Sequence, residues 1–129
     1  MPALWNALDG AMRTLVGAGP VKQRLIDAWL QHLAGLQDRD VPDALRPRLG
    51  ILRSAMQAAH PTGGMSAPEV SVRKMSDKDA AGHAVRVLEM YAQLCAIYDF
   101  EAAATRRLRV VRGEDHDLDE ELPAFLSRA

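Results

Sequence analysis

The chain has 129 residues, 48% of them apolar and 5% aromatic, with a formal net charge of −1. That length fits one domain with one core. The charge excludes a whole-molecule field able to draw the protein to nucleic acid or an anionic membrane.

With 21 alanines and few rings, the core must be built from Leu, Val, Met and Ala, which favours close-packed helices. The Val70–Val72 and Val110–Val111 stretches are too short to found a sheet. A single cysteine, Cys95, makes an intramolecular disulfide impossible and points to a reducing cytoplasm. Met1–Gly19 has no basic leader and carries Asp9 and Arg13, so neither a signal peptide nor a membrane span is expected there. Arginine outnumbers lysine 13 to 3, which with the alanine excess suggests a GC-rich bacterial genome.

In chain order, Leu4, Trp5, Leu8, Ala11, Met12, Leu15 and Val16 recur at three- and four-residue spacing and predict a first amphipathic helix. Gly17-Ala18-Gly19-Pro20 stops it and starts the next. Val21, Leu25, Trp29, Leu33 and Leu36, widened by Ile26 and Leu30, predict a second helix over 21–36, antiparallel to the first. Gln37–Pro42 reads as a polar loop. Asp43 is placed as the cap of a third helix reaching Ala59, with Leu45, Leu49, Leu52, Met56 and Ala59 buried and Pro47 near its first turn.

His60–Met75 lacks periodicity and holds Pro61, Gly63, Gly64 and Pro68, so it reads as a loop pinned by Val70, Val72 and Met75. Ser76-Asp77-Lys78-Asp79 has the form of a helix cap. Ala81, Ala84, Val85, Leu88, Tyr91, Ala92, Cys95 and Tyr98 are the expected buried stripe of the last helix. No Gly or Pro lies between His83 and Arg112, so it can exceed about 30 residues, with Asp99–Phe100 as its one candidate break.

Candidate chemistry is sparse. His32, His60, His83 and His116 show no metal-ligand spacing, and no metal or cofactor is expected. The neighbours Asp79 and Arg86 put His83 on an exposed face. Cys95, on the apolar stripe, reads as a buried, inert thiol. Arg73 and Lys74 precede the cap residue Ser76, an arrangement able to hold a phosphate or carboxylate.

The end of the chain changes character. Arg106, Arg107, Arg109 and Arg112 form a basic run. Glu114, Asp115, Asp117, Asp119, Glu120 and Glu121 follow in an acidic tail over 113–129 that reads as flexible. Leu118, Leu122, Phe125 and Leu126 give the tail an apolar face suited to a partner's groove. Within it, Leu122-Pro123-Ala124-Phe125-Leu126-Ser127-Arg128 resembles the C-terminal docking peptide of the bacterial tubulin-like cell-division GTPase. Pro123–Leu126 match that peptide, Ser127 replaces its first basic residue and Ala129 its glutamine. The likeness covers about seven residues, and the GTPase's glycine-rich nucleotide loops are missing from the chain. It implies docking onto a partner by the tail alone.

The expectation is therefore an all-α, four-helix bundle-like domain over 1–112, with a long last helix and the acidic tail. Its expected role is a non-enzymatic protein-interaction or adaptor module, self-associating as a homodimer, since the last helix carries more apolar surface than three short helices can cover. One alternative is a nucleic-acid-associated regulator working through Arg106–Arg112. Another is an enzyme or small-ligand binder using Arg73, Lys74 and a pocket between helices.

Overall fold

The computed structural model describes the backbone of residues 2–111 and the side chains of residues 3–106. Within these the protein is all-α, with no strand. The chain divides into two units, Met1–Leu94 and the part from Cys95 onward.

Helix α1 (Pro2–Leu15) buries Leu4, Leu8, Ala11 and Leu15, the inward half of its predicted stripe. Trp5 and Met12 sit at the margin, and Val16, just past the helix end, is exposed. The turn to the next helix needs Gly19, whose φ of 105° is a left-handed conformation that side chains disfavour. Arg24 closes this turn by donating to the carbonyls of Leu15 and Gly19, satisfying a helix end that would otherwise lack partners.

Helix α2 (Val21–Ala28) continues into one π turn, Trp29–Leu33, where the Ala34 N–H donates to the Trp29 carbonyl at 2.8 Å. This turn carries His32 onto Gly10 of α1. A β-carbon at Gly10 would lie 2.5 Å from His32 Nδ1, so only glycine permits the approach. Leu15 meets Arg24 while Gly10 meets His32, which makes α1 and α2 antiparallel. Leu25, Ile26, Trp29 and Leu33 are buried as the spacing predicts, but Leu30 is exposed.

Gln37–Pro42 holds a 3₁₀ turn, Asp38–Asp40, in which the Gln37 N–H donates to Asp40 Oδ2. Arginines from the following helix fix this segment. Arg53 donates to the Leu36 carbonyl and to Asp38 Oδ1, and Arg46 to the carbonyls of Asp38 and Val41. Asp43 does not cap the third helix. It opens a second 3₁₀ turn (Asp43–Leu45), and α3 runs only Arg46–Met56. Leu45, Leu49, Leu52 and Met56 are fully buried as expected. Ala59, past the helix end, donates its N–H to the Ser71 hydroxyl.

The predicted 60–75 loop contains a short helix, α4 (Ala67–Arg73). The two left-handed residues Gly63 and Gly64 turn the chain, closed by the Met65 N–H on the Thr62 carbonyl. Ser66 donates from its N–H and its hydroxyl to Glu69, so the segment carries its own start signal, with Pro68 harmless in the first turn. Val70 and Val72 are buried, the pinning contact that the sequence suggests.

Helix α5 (Asp77–Val111) is 35 residues long and passes Asp99–Phe100 without a break. Ser76 starts it by accepting from the Asp79 N–H at 3.0 Å. Its buried residues in the first unit are Ala80, Val87, Met90 and Leu94. Val85 and Leu88, expected inside, are 52% and 47% exposed, and Ala81 and Ala92 are exposed too. Val85 precedes Val87 by two residues, as Leu88 precedes Met90 and Ala92 precedes Leu94. Two residues turn a helix by about 200°, so each pair spans opposite sides. The helix is apolar on both, and neighbouring side chains choose between them. Tyr91 stacks with Trp5 of α1 at 5.3 Å between centroids. Gln93 accepts from Arg48 of α3 and donates to the Ala44 carbonyl, and Arg48 also faces Glu89.

Candidate functional site

Choosing the Val87–Met90–Leu94 face as core leaves Ala81, Val85, Leu88 and Ala92 as an outward strip on α5. Their four-three-four spacing is that of a seam between paired helices, where the 3.5-residue repeat keeps one edge facing a partner. Each half-exposed Val or Leu leaves apolar area in water that a partner could remove, worth on the order of 1 kcal/mol per side chain.

Alongside this strip runs a cationic one. Lys78, Gly82 and Arg86 follow at four-residue spacing, and with Met75, Asp79 and His83 they line an open cleft of about 340 Å³. Gly82 lies in its lining beside open space, where a β-carbon would meet nothing within 4 Å. His83 is half-buried, not on the open face that Asp79 and Arg86 suggest. Its Nδ1 lies 2.9 Å from Arg86 Nη1. Guanidinium only donates, so Nδ1 accepts and the neutral ring carries its proton on Nε2. Burial, and then the charge of Arg86, hold the His83 pKa below the ordinary imidazole value, against a smaller upward pull from Asp79.

A second open cleft, of about 320 Å³, lies between α2 and α4 and is lined by Pro20, Lys22, Gln23, Ile26 and Arg73. Lys22 Nζ donates to the Arg73 carbonyl at 3.3 Å. The suggested Arg73–Lys74–Ser76 cluster is thus spread out. Arg73 lines this cleft, Lys74 ends α4 as its C-cap, and Ser76 is engaged in capping α5. Of the suggested partner-binding residues, Arg106 is exposed on α5. The side chains of Arg107 and Arg109, and all of Arg112, Leu118, Leu122, Phe125 and Leu126, lie outside the described residues.

Cys95 is a free thiol and half-buried, where full burial was expected. Among the described residues, no three His, Cys, Asp or Glu side chains gather as a metal site, and no helix is long and apolar enough to cross a membrane. The outward strip and the Gly82 cleft are the features that stripe-counting misses. Lys78-x3-Gly-x3-Arg86 was the legible sign of the cleft, whereas nothing local says which face of α5 turns inward. No protein family, curated protein or solved structure matches the chain.

Proposed function

We propose that this protein is a non-enzymatic helical interaction module that self-associates through the outward strip of α5. The observation that carries the reading is the half-exposure of Val85 and Leu88 in line with Ala81 and Ala92. Scattered exposed apolar residues need no explanation, but four in register along about 17 Å of one helix form a line a second helix can cover. A homodimer is the simplest closure, because a two-fold axis lets one strip cover its own copy.

Sedimentation velocity of the full chain at tens of micromolar tests this. The wild type is expected at twice the monomer mass, and Leu88→Glu at the monomer mass with unchanged helical content. A wild type that sediments only as monomer refutes self-association. A dimer that survives both Leu88→Glu and Val85→Glu moves the interface elsewhere and refutes the assigned surface.

A further inference from the structure

The Gly82 cleft supports an inference independent of self-association. Its ionisable lining is Lys78, Asp79, His83 and Arg86. Two backbone donors of the first turn are already engaged, the Asp79 N–H with the Ser76 hydroxyl and the Ala80 N–H with the Ser76 carbonyl, and the charged donors of the lining are side chains. Lys78 and Arg86 are permanent donors, and Nε2–H of the neutral His83 is a third. Asp79 is the one charged acceptor. A fully deprotonated anion would meet three donors but also the Asp79 carboxylate. A hydrogen phosphate has several acceptor oxygens and one O–H, so it can take all three donors and give its own hydrogen to Asp79.

From the open cleft over Gly82, the Arg86-anchored imidazole and this donor–acceptor pattern, we infer that the cleft is a binding site for a protonated phosphate, selective over sulfate. Lys78 and Arg86 supply the charge, one from each side of the gap. His83 supplies a directed donor whose orientation is fixed by Arg86. Asp79 supplies selectivity, since it repels an oxyanion that has no hydrogen to share. The cleft is open to water, so affinity is on the order of millimolar, in keeping with exposed charge pairs.

The test is a titration of the uniformly ¹⁵N-labelled full chain with inorganic phosphate at neutral pH, with sodium chloride adjusted to hold ionic strength. The Gly82 amide and the His83 ring are followed by NMR. A saturable phosphate response is expected, with sulfate several-fold weaker. Gly82→Leu fills the gap at a position with free space around Cβ, and should abolish the response while the helix persists. Lys78→Gln and Arg86→Gln should each weaken it about tenfold. Asp79→Asn should remove the preference for phosphate over sulfate. Equal, unsaturated responses to both anions mean screening by salt only and overturn the inference. So does a phosphate response that persists in Gly82→Leu. If Arg86→Gln loses its fold, Gly82→Leu and Lys78→Gln decide the question alone.

Discussion

Substituting Gly10 by alanine sets two effects of known size against each other. Within a helix, glycine to alanine gains about 1 kcal/mol by reducing the freedom of the unfolded chain. At Gly10 the new β-carbon falls 2.5 Å from His32 Nδ1 and 2.6 Å from Cε1. Carbon contacts settle near 3.5–4.0 Å, so the imidazole must retreat by about 1 Å. It sits in the π turn, and overpacking of this kind costs about 1–3 kcal/mol. The net expectation is anything from near cancellation to destabilisation by about 2 kcal/mol, up to several degrees in Tm for a chain of this size.

Gly50 in α3 is the internal control, because a β-carbon there meets nothing within 4 Å. Gly50→Ala should stabilise by about 0.5–1 kcal/mol. In a His32→Ala background Gly10→Ala should also become stabilising, giving a coupling of about 1–3 kcal/mol between the two sites. Urea and thermal unfolding followed by circular dichroism at 222 nm measure all four values. Equal stabilisation by Gly10→Ala and Gly50→Ala, or no coupling to His32, would show that α1 and the π turn do not meet as described.

Further expectations follow from the same geometry. Ser76→Ala removes the acceptor for the Asp79 N–H and should cost about 1 kcal/mol in urea unfolding, with Ser76→Asn recovering most of it. Because the folded-state pKa of His83 is depressed, its contribution to stability is present above the ordinary value of 6.5 and lost as pH falls through the folded value. A His83→Gln variant should therefore lose part of the acid-side fall in stability below about pH 6.5, and an unchanged pH profile refutes that assignment. Arg86→Gln should move the His83 titration upward in NMR, yet leave it below the usual range because burial is the larger cause. Leu88→Glu should change monomer stability by no more than about 0.5 kcal/mol while removing self-association, since the site faces solvent.

Much of the fold was legible because its signals are local. Leu4, Leu8, Ala11 and Leu15 repeat at helix spacing and are buried. So are Leu45, Leu49, Leu52 and Met56, and the Gly19 turn lies where glycine and proline cluster. The missed α4 is short, and its proline and flanking glycines looked like breakers. Ser66 and Glu69 form the start signal that outweighs them. The register of α5 was not legible, for a physical reason. Val85 and Leu88 repeat as well as Val87, Met90 and Leu94 do, and contacts from distant elements, Trp5–Tyr91 and Arg48–Gln93 among them, decide between the faces. Those partners lie more than forty residues away in the chain. The cleft at Gly82 has no local signature beyond the spacing of Lys78, Gly82 and Arg86, because its residues are individually ordinary and the ring of His83 gains its role only through Arg86.

The π turn in α2 has a consequence for how this chain can change length. A hydrogen bond from residue 34 back to residue 29 encloses one residue more than an α turn needs. Deleting one residue from 29–33 would let the turn relax to an ordinary one, while Leu25 and Ile26 before it and Leu36 after it keep their phase. Leu30 and Gln31, both exposed within this turn, are the residues whose loss disturbs the interior least. The helix therefore holds a spare position on its water-facing side. A one-residue deletion, which elsewhere would rotate everything downstream by about 100°, can be absorbed here without turning the core outward.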